Sequence, residues 1–114
     1  MMTIEKLKAF GANTEEGLGR CMNNEAFYFR LIGMAAKDPN FEKLEIAVVM
    51  EELDDAFEAA HALKGVLGNL ALTPLFTPAN EMCELLRSRT ETDYGPLMEQ
   101  LMQAKAQLEA LLAE

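Results

Sequence analysis

Apolar residues recur at steps of three and four along most of the chain, and no segment alternates as a strand would. The pattern predicts helices. Ile4, Leu7 and Phe10 share one face of a short first helix, which Thr3 can cap and Gly11 can end. The next stretch is looser, holding Gly17, Gly19, Cys21 and Met22. A helix is expected over about 24–37, with Phe27, Leu31 and Met34 (or Ala35) as its buried seam. Asp38-Pro39 breaks it, because proline disfavours helical geometry in the residue before it and suits the first turn of the next helix.

A helix over about 40–50 presents Phe41, Leu44, Ala47 and Val48 on one side, and Glu51-Glu52 forms a kink or short joint. The longest unbroken seam comes next, over about 53–72: Leu53, Ala56, Ala60, Leu63, Leu67 and Leu70. Thr73-Pro74 reads as an N-cap with proline at the first helical position, opening a helix to about residue 89. Thr77-Pro78 repeats the signal, so this helix starts late or is kinked. Arg87 and Arg89 suit its C-terminal end. The last helix begins near residue 93 or 96 and turns Leu97, Leu101, Ala104, Leu108 and Leu111 inward.

A chain of 114 residues supports one core, so residues 1–114 are expected to form a single domain. Four main helical arms with short joints predict an all-α fold, an antiparallel up-down four-helix bundle with a short extra N-terminal helix over one end. The eight methionines read as core filler, with a Met-rich partner groove as the alternative.

Composition removes several functions. A net charge of −9 repels phosphates, and the basic residues form no stripe, so nucleic acid is set aside as a partner. The N-terminus mixes Glu5, Lys6 and Lys8 with apolar residues and has no signal-peptide core. Uncharged runs such as 66–80 contain Pro and Asn and fall short of the roughly 20 apolar residues that span a bilayer. No membrane association is expected, and the location is expected to be cytoplasmic. Cys21 and Cys83 have no metal-ligand spacing and read as free thiols.

The candidate chemistry centres on His61, the one histidine. Ala60 sits on the seam, so His61 is turned about 100° from it, onto the shoulder of the bundle. Lys64 and Gly65, three and four positions on, stack on the same face. Gly65 and Gly68 lie about 40° and 20° to either side of His61, and each costs about 1 kcal/mol relative to alanine in a helix interior. Gly65 reads as clearance for a partner's backbone, whereas for Gly68 clearance and close helix packing weigh equally. Phe57, four before His61, is either a partial cover on the imidazole or part of an apolar docking patch, and Glu58 is a further partner-binding candidate. The Lys64 ammonium could pair with phosphoryl oxygens and tends to lower the imidazole pKa, keeping a ring lone pair available. A nucleophile that receives a phosphoryl group from another protein needs this arrangement. No Ser or Cys with an orienting acid accompanies the histidine as a hydrolase would require. Asp54 and Glu58 could join His61 around a metal, but Lys64 in their midst argues against it, so no metal is expected.

Residues 60–65, Ala-His-Ala-Leu-Lys-Gly, with Asn69-Leu70 close behind, resemble the signature of the histidine-containing phosphotransfer (HPt) domain family. The resemblance is good from about residue 24 onward. It implies a helical bundle that carries phosphoryl groups between receiver-domain aspartates in multistep phosphorelays. By this match His61 is the phosphorylated residue, Lys64 the phosphoryl-stabilising cation and Gly65 the clearance for the receiver. The implied partners are response-regulator receiver domains, with a hybrid sensor histidine kinase as a further candidate. No cofactor is implied for the chain itself, since the receiver supplies Mg²⁺ and the acidic pocket. Two positions depart from the family. Cys83 stands where a Gln or Glu often bonds the second imidazole nitrogen, so Asn69, Asn80, Cys83 and Glu84 are the candidates for the shell behind His61. Ala62 replaces a common Ser or Thr. No glycine-rich phosphate loop is present, so ATP-dependent autophosphorylation is not expected. A non-phosphorylated helical adaptor that binds a receiver or another signalling protein is the alternative.

Overall fold

The computed structural model describes residues 1–114 as seven helices and no strand: α1 (Ile4–Phe10), α2 (Thr14–Arg20), α3 (Glu25–Ala36), α4 (Asn40–Val49), α5 (Leu53–Asn69), α6 (Thr73–Arg87) and α7 (Gly95–Leu112). α5 is the centre of the molecule, packed against α4 on one side and α6 on the other, while α6 leans on α7 and α7 on α3. Its seam is sealed: Ala56, Ala60, Leu63 and Leu67 are all buried, and Leu70 continues the line past the helix end.

Local signals set most ends. The Thr3 hydroxyl accepts from the Lys6 amide at 3.1 Å, and Gly11 closes α1 in the left-handed region at φ 113°. Asn24 caps α3 by accepting from the Phe27 amide at 3.0 Å. Four other helices end on residues other than glycine in the left-handed region: Met22, Glu51, Ala71 and Arg89, at φ 56°, 56°, 56° and 51°. Each is succeeded by a bond from the next amide back five residues, as in Leu72 N–H to the Leu67 carbonyl at 3.0 Å. These tight reversals keep the joints short. Leu72, rather than Thr73, is the N-cap of α6, because the chain leaves the Ala71 turn directly into helix. Pro78 sits buried inside α6, which runs continuously from Thr73.

Three expectations are corrected. The loose stretch after Gly11 is a helix, α2. Asn13 caps it, its side chain accepting from the Glu16 amide at 3.2 Å. Two distant contacts hold it, one at each of Gly17 and Arg20. The Tyr28 ring lies across Gly17 so closely that an added Cβ would sit 2.3 Å from its hydroxyl oxygen. That hydroxyl donates to the Leu70 carbonyl at 2.8 Å, and burial raises its pKa to about 12. Second, α3 buries Tyr28, Ile32, Ala35 and Ala36; of the expected seam, Ala35 is buried and Leu31 partly so against the core, while Phe27 and Met34 are exposed. Both faces of α3 are apolar, and the Tyr28 bond selects between them. Third, only half of the methionines are filler: Met82 and Met98 are buried and Met2 and Met102 pack partly buried against the core, while Met1, Met22, Met34 and Met50 face solvent. The last helix turns Met98 inward as well, with Leu97 partly buried against the core.

Candidate functional site

The sealed seam of α5 decides where its other side chains stand. Because Ala60 and Leu63 are fully buried, His61 between them is driven outward and is exposed. It opens onto a surface groove of about 730 Å³ whose floor is the last two turns of α5: His61, Lys64, Gly65, Gly68 and Asn69. Phe76 and Thr73 of α6 form one wall. The opposite wall is α2, through Asn13, Glu16 and Arg20. These wall residues are absent from the sequence-derived site, and α2 carries no periodic signal that could have revealed them.

The two glycines on the histidine's face differ. A Cβ built on Gly65 meets nothing within 4 Å, so the position is open space beside His61. A Cβ on Gly68 would lie 3.0 Å from Phe76 Cε1, so Gly68 serves close packing of α6 against α5. Arg20 finishes the helix there. Its guanidinium donates to the Gly68 carbonyl at 2.6 Å and the Asn69 carbonyl at 3.2 Å, placing positive charge at the helix C-terminus, and it is braced by Glu16.

The imidazole packs against Phe57, ring centroids 5.7 Å apart and tilted by 41°. Phe57 also carries two guanidinium groups, Arg87 at 5.3 Å and Arg89 at 4.9 Å from its centroid. It is thus half-buried cover between the histidine and a basic corner, in a chain that is otherwise strongly acidic. Lys64 is engaged in this structure. Its Nζ donates to Glu84 Oε1 at 3.1 Å, and Arg87 Nε stands 3.5 Å from Glu84 Oε2. The Lys64 hydrogen bond and charge, with Arg87 adding, hold the Glu84 carboxyl below the usual carboxylate range.

None of the four candidates for the shell behind His61 hydrogen-bonds to the ring. Glu84 reaches Lys64 instead. Cys83 is a free thiol with no exposed surface. Asn80 is half-buried outside the groove, and Asn69 contributes its backbone carbonyl to Arg20. Glu58 is exposed but lines a separate hollow between α4 and α5, with Lys43 and Asp55. Asp54 is paired with Arg89. No helix is long and apolar enough to cross a membrane.

Fold and groove together define an all-helical protein built around one accessible histidine. The family model for the Hpt domain matches residues 38–114, more than half of the chain, and the protein belongs to that family. Hpt domains perform histidine phosphotransfer in phosphorelays and interact with receiver domains. No curated protein and no solved structure matches the chain.

Proposed function

We propose that this protein is a phosphoryl carrier that accepts a phosphoryl group on His61 from a receiver-domain aspartate and passes it to another. One observation carries the reading: the single histidine stands exposed on the central helix beside Gly65, where a side chain would fit and none is present. In a helix interior that glycine costs about 1 kcal/mol, and packing gives no reason for it. Approach by a second protein's backbone does.

The transfer needs little from this chain beyond position and charge. A ring nitrogen of His61 puts its lone pair on phosphorus, the P–O bond to the aspartyl group breaks, and its electron pair returns to the carboxylate. The proton on the other ring nitrogen leaves to solvent. Lys64 then pairs with the phosphoryl oxygens. Mg²⁺ belongs to the receiver's side of the complex. The same reading takes residues 1–114 as one cytoplasmic domain with α4 to α7 in antiparallel up-down order.

Incubation with phosphorylated receiver domains and Mg²⁺ tests it. Wild type is expected to take label and His61→Gln to take none. Equal labelling of the two would remove His61 from the reaction. A second reading, a non-phosphorylated adaptor, is favoured by the missing hydrogen bond behind the imidazole. It predicts receiver binding that survives His61→Ala, with no transfer from any receiver.

A further inference from the structure

Every cation around His61 already stands against a carboxylate. Lys64 and Arg87 share the Glu84 carboxylate, at 3.1 and 3.5 Å, and Arg89 is paired with Asp54. Lys64, the one of the three on the same helix face as the histidine, is therefore held toward α6 by a residue that lies outside the groove. A phosphoryl group on His61 adds nearly two negative charges and three strong acceptors within a helical turn of that ammonium. Glu84 and the phosphoryl oxygens would then compete for one cation.

Resting on the carrier reading above, we propose that Glu84 is a positioning residue that holds Lys64 aside until phosphorylation and gives it up to the phosphoryl group. Glu84 can give it up cheaply, because it is exposed and retains Arg87, which stands against its other oxygen. The arrangement disfavours the phosphorylated state by the strength of one exposed ion pair. That makes the phosphoryl group easier to pass on than it would be beside a free lysine. The effect is bounded: such pairs are worth at most about a fivefold change in an equilibrium or rate.

Phosphoramidate, a small donor that needs no receiver, tests this on the full chain. The ring nitrogen attacks phosphorus, the P–N bond of the donor breaks, and ammonia leaves with the electron pair. Formation of phosphorylated His61 would be tracked by ³¹P NMR in wild type, Glu84→Gln, Lys64→Ala and the double variant. Glu84→Gln is expected to react about two- to fivefold faster than wild type. In the Lys64→Ala background the same change should have no effect, which a purely structural role or simple charge repulsion would not produce. An unaltered or slower Glu84→Gln, an equal gain without Lys64, or no label on His61 in any variant would each overturn the proposal. If receivers transfer nothing while the Lys64-dependent gain appears with phosphoramidate, the carrier reading fails and the Glu84 role stands.

Discussion

Gly65→Ala separates what the fold needs from what the site needs. The position is helical and exposed, and the added methyl meets no atom within 4 Å. Alanine there recovers the helix-propensity cost of glycine, about 0.5–1 kcal/mol. For a chain of 114 residues this corresponds to a rise in Tm of roughly 2–4 °C. The same methyl projects into the space beside His61 that the carrier proposal assigns to a docking backbone. Forcing one carbon into a closely packed contact costs about 1–3 kcal/mol, which is about a 5- to 150-fold loss in transfer rate at subsaturating receiver. Thermal unfolding by circular dichroism and phosphotransfer kinetics on the same sample check both halves. A variant that is more stable and slower supports the reasoning. A destabilised variant would refute the packing analysis, and a stabilised one with wild-type transfer would refute the docking role.

Gly17→Ala is expected to do the opposite to stability. Its Cβ would sit 2.3–2.6 Å from the Tyr28 ring and hydroxyl, and moving that ring breaks the bond to Leu70. Overpacking and the lost buried bond outweigh the alanine gain, for a net loss of about 1–4 kcal/mol in urea unfolding. Tyr28 also sets a pH limit. A phenol whose native pKa is about 12, against 10.0 unfolded, gives its full contribution below pH 10 and loses it as the pH rises toward 12. Urea midpoints should fall by the equivalent of about 2–3 kcal/mol over that interval, and Tyr28→Phe should flatten the fall. Ala71→Gly relieves a left-handed alanine at φ 56° and is expected to stabilise by about 1 kcal/mol, measured the same way. Arg20→Ala should cost about 0.5–1 kcal/mol and speed amide hydrogen exchange in the last turn of α5.

The parts of this structure legible in the sequence are those decided within a few residues. Thr3 and Gly11 bound α1 as their chemistry requires. The seam of α5 is so regular that it places Ala60 inside and His61 outside without any tertiary information. The features that escaped were decided at a distance. α2 carries two glycines and no seam, and it is held by Tyr28 and by the α5 carbonyls that Arg20 reaches, 48 and 49 residues away. The phase of α3 was ambiguous because Phe27, Leu31 and Met34 make as good a stripe as Tyr28, Ile32 and Ala35; a hydroxyl finding a helix-end carbonyl broke the tie. The even reading of Gly68 was settled by the face Phe76 presents from the next helix. The Lys64–Glu84 pair joins residues 20 apart on different helices, so spacing along one helix could not show it.

The central claim is that an imidazole nitrogen, and no oxygen, carries the phosphoryl group. Its most direct test is the chemistry of the bond formed after incubation with a phosphorylated receiver and Mg²⁺. The account predicts a phosphoprotein that loses its label in acid and keeps it in alkali, with the group mapped to His61 by fragmentation of the intact peptide. Label that survives acid, or that maps to any other residue, would contradict it.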